Sequence, residues 1–89
     1  MQAVEPKHSF SIGSCHTLIY HADTGQGIPR HEHSYPHVTY CAAGSILVSK
    51  HNKQTILAKD STPITLRAGE WHEIEALCEN TVFINVFAV

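Results

Sequence analysis

The stretch "GQGIPRHEHSYPHVTYCAAG", Gly25 to Gly44, places three histidines within seven positions: His31, His33 and His37. Side chains on a strand repeat every two residues, so His31 and His33 project from one face and Glu32 from the other. Ser34-Tyr35-Pro36 is a turn sequence whose proline fixes the backbone. His37 then opens the neighbouring strand and can face the same point. Neutral imidazole nitrogen ligates Zn, Cu, Fe, Ni and Mn. Two rings from one strand and one from its neighbour define three corners of a coordination polyhedron, and a fourth ligand must come from further along the chain. The competing reading is a solvated polar turn. Against it stands the cost of gathering three titratable rings on a barrel wall, roughly a few kcal/mol if they are buried unpaired.

Around this stretch the chain reads as all-β. Helical periodicity is nearly absent, and short runs rich in Val, Ile, Thr, Phe and Tyr alternate with turn residues. The expected strands are "SFSIG", "CHTLIYHA", "IPRHEH", "HVTYCAA", "SILVSK", "QTILAK", "PITLRA", "HEIEAL" and "TVFINVFAV". Between them stand Asp23-Thr24-Gly25, Ala43-Gly44, His51-Asn52-Lys53, Asp60 to Pro63 and Ala68-Gly69. Short strands at such regular spacing suggest a sandwich or barrel. The 89 residues are expected to form one domain, 1–89, whose own core gives thin stability.

Several function classes fall away on composition. The net charge is −2 and no run of Lys or Arg occurs, which argues against a nucleic-acid footprint or a polybasic membrane patch. The longest apolar stretch, Thr81 to Val89, is far shorter than the roughly 20 residues of a spanning helix. The start "MQAVEPKHSF" lacks a basic segment followed by an apolar core, so no secretory signal is expected. Cys15, Cys41 and Cys78 are odd in number and widely spaced, which fits free thiols in a reducing compartment. The expected location is the cytoplasm. The last strand is apolar on both faces, Val82, Ile84 and Val86 on one and Phe83 and Phe87 on the other. A strand of that kind is covered on both sides, and the outer cover is expected from a second subunit in a homodimer.

These residues resemble the cupins. The first cupin motif runs Gly, five residues, His-x-His, three or four residues, Glu, six residues, Gly. Here it reads Gly25, "QGIPR", His31-Glu32-His33, "SYP", His37, "VTYCAA", Gly44, with His37 in the place of Glu. The second motif, about 61–76, is matched by Gly69, Glu70-Trp71 and His72 in "LRAGEWHEIEA". There Arg67 stands for the usual Pro, Ala76 for Asn, and Ser61 or a neighbour for the leading Gly. The resemblance implies a small conical β-barrel, the double-stranded β-helix or jelly roll. It also implies that His72 joins His31, His33 and His37 on one divalent transition metal: Mn, Fe, Zn, Ni or Cu. Four neutral rings would leave such an ion its full charge, which favours an anionic co-ligand.

The functions consistent with the resemblance are three. One is a metal-dependent enzyme of the dioxygenase, isomerase or lyase kind on a small oxygen-rich molecule. Another is a non-catalytic module that binds a sugar or an organic acid, and the third is a barrel with a structural metal. A fold alone does not choose among them. Counting by twos from His37 turns Thr39 and Cys41 inward, where Thr39 could support the site and Cys41 is expected to pack. Trp71 suits either rim or core, and Tyr20, Tyr35 and Tyr40 suit a cavity mouth. Glu70, Glu73 and Glu75 read as a solvated face, and Arg67 as exposed. His8, His16, His21 and His51 read as surface positions, with His21 the nearest to an outer partner of the site.

Overall fold

The computed structural model describes residues 1–88. Ten strands follow one another among them: β1 (Gln2–Ala3), β2 (His8–Ile12), β3 (Cys15–Ala22), β4 (Gln26–His31), β5 (His37–Ala43), β6 (Ser45–Lys50), β7 (Lys53–Ala58), β8 (Ile64–Leu66), β9 (His72–Ala76) and β10 (Thr81–Ala88). They form two five-stranded sheets, in the orders β1-β4-β9-β6-β7 and β2-β3-β10-β5-β8. Apart from the two-residue β1, which lies parallel to β4, the paired strands are antiparallel. This is the small cupin barrel, a double-stranded β-helix. Among the described residues no helix is long and apolar enough to cross a membrane.

The period-two pattern explains which side chains fill the barrel. On β9, His72, Ile74 and Ala76 are buried while Glu73 and Glu75 between them are half-buried. On β5, His37, Thr39 and Cys41 are buried, as counting by twos requires. The core takes Ile46, Val48, Leu57, Ile74 and Ala76 from one sheet and Tyr20, Ala22, Cys41, Leu66 and Phe83 from the other. Tyr20 stacks on Phe83 with ring centroids 4.8 Å apart and planes 7° from parallel. Each large apolar side chain so buried contributes about 1.5–3 kcal/mol. On β10, Thr81, Phe83 and Asn85 face inward and Val82, Ile84 and Val86 are half-buried on the outer face. Val89, the last residue of the expected final strand, lies outside the described residues.

Three departures from the expected strands bear on the site. β4 ends at His31, so His33 sits in the following loop rather than on the strand. The chain then crosses between the sheets: β5 pairs with β10 and β8, not with β4. His37 therefore reaches the cluster from the facing wall and not from an adjacent strand. The pairing of β4 with β9 shifts register between Ile28 and His31, and the shift brings His31 directly opposite His72. Pro29 lies inside that irregularity, where its missing N–H breaks the ladder. Just before it, Gly27 is required by close approach, because a Cβ there would overlap the Ile74 carbonyl.

Candidate metal centre

The end of β4, the loop after it and the start of β9 bring His31, His33 and His72 to one point, and the start of β5 sets His37 beside them. His31 and His72 are cross-strand partners, with ring centroids 4.4 Å apart. His33 lies 5.3 Å from His31 and 4.9 Å from His72, centroid to centroid. One ring nitrogen each from His31, His33 and His72 falls within 4.8 Å of the others, a group able to hold a metal ion. His37 stands next to this group of three and not within it, 4.9 Å from the His33 ring, with its Nε2 3.4 Å from Nε2 of His72. The loop carrying His33 is tied down by the Gly69 amide, which donates to the His33 carbonyl at 2.9 Å. Gly69 has φ +74°, a left-handed conformation that an L side chain rarely adopts.

The hydrogen bonds on the far sides of the rings determine which nitrogens are bare. A carbonyl only accepts, so His31 Nδ1–H donates to the Pro29 carbonyl at 3.0 Å. His72 Nδ1–H donates to the Glu70 carbonyl at 3.1 Å in the same way. The Thr39 hydroxyl donates to Asn85 Oδ1 at 2.6 Å, so toward His37 it acts as the acceptor of Nδ1–H at 3.0 Å. All three rings are thus held as the tautomer that turns an unprotonated Nε2 toward the cluster. Outer partners of this kind fix ring orientation and raise ligand basicity. Nδ1 of His33 is buried and has no hydrogen-bond partner.

Electrostatics keep the inner rings neutral. His37 and His72 are 5% and 0% exposed, and each is pushed down to about 4. Burial is the largest cause for both; the next is the neighbouring His72 for His37, and His31 for His72. Two neutral rings that each spend their proton on the Nδ1 side then face one another lone pair to lone pair at 3.4 Å. A hydrogen bond needs a proton between them, and these rings have none to give. A cation accepting both lone pairs removes the conflict, so the donor set fits a borderline divalent metal.

The remaining sequence-marked residues divide clearly. Thr39 is fully buried and supports His37, while Cys41 is buried and donates to the Ala43 carbonyl at 3.2 Å. Burial pushes the Cys41 thiol up, which suits packing rather than nucleophilic attack. Tyr35 stacks on His33 at 4.2 Å and 12°, and it meets Phe87 at 4.8 Å. Trp71 is half-buried under the Arg30 guanidinium, which lies 3.9 Å from its ring centroid. Glu70 pairs with Lys50 at 3.4 Å, and Arg67 is exposed. His21 is exposed and its ring meets His8, not the cluster. All three cysteines are free; Cys41 is buried and Cys15 exposed. Sequence reasoning did not single out Asn85. The signal was a polar residue in phase with Phe83 and Phe87 in the otherwise apolar run from Val82 to Ala88.

No family model matches the sequence, and no curated protein matches it. Solved structures do match in fold. KdgF from a Halomonas species superposes with a TM-score of 0.81 at 16% identity, over 91% of this chain and 74% of that one. A cupin-2 domain containing protein from Shewanella frigidimarina gives 0.75 at 11% identity, over 97% and 84%. A protein with a double-stranded beta-helix domain from Klebsiella pneumoniae gives 0.73 at 21%, over 94% and 76%.

Proposed function

We propose that this chain, a cupin by fold, holds one divalent transition metal on His31, His33, His37 and His72. The bound ion would serve chemistry of the dioxygenase, isomerase or lyase kind on a small oxygen-bearing molecule. The observation that carries the reading is the facing pair of bare Nε2 atoms, 3.4 Å apart on rings whose Nδ1 protons are already engaged. Four imidazoles bring no negative charge, so a bound divalent ion supplies Lewis acidity at nearly its full charge. The protein's part is to aim the rings and to hold His37 and His72 neutral, with Thr39 and two backbone carbonyls fixing the tautomers of His31, His37 and His72. Elemental analysis of protein purified without added metal tests this, followed by a dioxygen-uptake screen. About one transition-metal ion per chain is expected for a four-ligand site; a chain without metal that also fails to take up added Zn or Mn contradicts the reading.

The support beneath His37 yields a sharper expectation. Thr39→Val keeps the shape and removes the hydroxyl that accepts the His37 Nδ1 proton. Metal affinity should fall about 10–100-fold, the usual effect of losing an outer partner. Thr39→Ser should retain wild-type affinity. Competition with a chelating dye reads both, and equal affinities for the Val and Ser variants would mean that the hydroxyl does not orient His37.

The same reading takes the protein as a homodimer through the outer face of β10. Val82, Ile84 and Val86 are half-buried there, and Phe10, Ile12 and Val38 on the same sheet are 41%, 69% and 38% exposed. An exposed apolar face of this kind supports an interface, and two-fold pairing is the commonest way to cover one. Burial of ~600 Å² of apolar surface would contribute on the order of 15 kcal/mol before entropic costs. Light scattering should give twice the 9.9 kDa chain mass, and Ile84→Lys should give the single-chain mass. A monomeric wild type would remove the interface from the account.

A further inference from the structure

Beside His31 and His37 the barrel opens into a cavity of about 280 Å³. That is at the small end of the range for small-molecule sites, ~300–1,000 Å³. Leu18, Ile28 and Phe87 line it, together with Val4 of the N-terminal segment. Polar atoms come from Tyr20, Asn85 and Glu5, and no Lys or Arg is among the lining residues. Asn85 Oδ1 is taken by the Thr39 hydroxyl, which leaves its NH2 to donate. Tyr20 is 7% exposed, and burial holds its phenol protonated. Toward the mouth, the Tyr35 ring bridges from His33 to Phe87, with centroid distances of 4.2 and 4.8 Å, making an aromatic strip that starts at the cluster.

Charge and shape together restrict what fits. A divalent ion held by the four imidazoles would favour an anionic oxygen donor. The rest of the cavity offers apolar walls, the neutral hydrogen-bonding side chains of Tyr20, Tyr35 and Asn85, and one carboxylate. A second anionic group on the ligand would find no Lys or Arg among the lining residues and would lose hydration, and Glu5, an exposed lining residue, would add a solvent-screened repulsion. We propose that the cavity takes a small ligand with one chelating oxygen pair at the histidines and an uncharged, flat apolar body along the Tyr35–Phe87 strip. It discriminates against phosphorylated or doubly carboxylated molecules. This rests on the four-histidine metal reading and deepens it to a ligand class.

Three hydroxamates that share one chelating head test it on zinc-loaded protein, after zinc content has been measured. Benzohydroxamate is expected to bind about tenfold or more tighter than acetohydroxamate, in line with the discrimination an apolar pocket gives. Para-carboxybenzohydroxamate should lose most of that gain, and Glu5→Gln should return part of it. Phe87→Ala should bring benzohydroxamate close to acetohydroxamate without changing zinc content. Equal wild-type affinities for the benzo and aceto compounds, or tighter binding of the carboxylated one, would overturn the proposal. A chain that takes up no zinc contradicts the metal reading instead. The cavity is then tested with benzyl alcohol on metal-free protein: NMR shifts confined to the methyl groups of Val4, Leu18 and Ile28 support the apolar body, and their absence overturns it.

Discussion

His33→Ala is expected to lose metal while keeping its fold. His33 lies in the loop after β4, is half-buried, and takes no part in the hydrophobic core. Truncating it removes one of four converging rings and leaves the strand pairing intact. If a site of this kind contributes on the order of 10 kcal/mol, one ligand in four corresponds to about two orders of magnitude in affinity or more. Elemental analysis after dialysis should therefore show occupancy well below one ion per chain, with circular dichroism unchanged. The variant also frees Tyr35 from its stacking partner, so a small loss of thermal stability is expected beside the loss of metal. Full occupancy would remove His33 from the ligand set.

The second large effect is on acid stability. His37 and His72 sit near 4 in the folded protein, well below the ordinary value of 6.5, chiefly because burial disfavours the charged ring. As pH falls from 6.5 the unfolded chain takes up these protons first, and the folded chain does so only near 4. Stability from this pair is therefore complete above 6.5, declines through the window between the two values, and levels off below it. Together the two rings should account for on the order of several kcal/mol across that window. Metal-loaded protein should lose more than metal-free protein over the same range, because ligation requires neutral imidazole. Urea unfolding at stepped pH reads both forms. A stability independent of pH through this window would mean that the two rings are not held neutral.

Much of the fold was legible because its signal is local. The strands "CHTLIYHA", "HVTYCAA" and "SILVSK" coincide with β3, β5 and β6 residue for residue. Each is bounded by a turn signal, and burial alternates along β5 from His37 to Ala42 and along β6 as far as Val48, after which Ser49 is buried out of phase. Thr39 and Cys41 turn inward for the same reason. What escaped was set by pairing between distant segments. The step of the chain from one sheet to the other after His33 depends on β5 finding β10, more than thirty residues away by sequence. The two-residue β1 carries almost no pattern of its own and exists through its register with β4. Asn85 acts on His37 through Thr39, which lies across from it, 46 residues apart. The gathering of His31, His33, His37 and His72 was legible through the cupin-like spacing. The tautomers that make them donors were not, since Pro29 and Glu70 act through backbone carbonyls, which no side-chain pattern records.

The central claim is that these four of the eight histidines, and no others, face a metal through bare nitrogens. Long-range proton–nitrogen correlation spectra of the imidazole rings, taken before and after one equivalent of zinc, test it most directly. Before zinc, His31, His37 and His72 should show the Nδ1–H tautomer. On its addition, the ring nitrogens of His31, His33, His37 and His72 should shift together in slow exchange, while those of His8, His16, His21 and His51 stay in place. Shifts limited to surface histidines, or an Nε2–H tautomer at His37 and His72, would contradict the account.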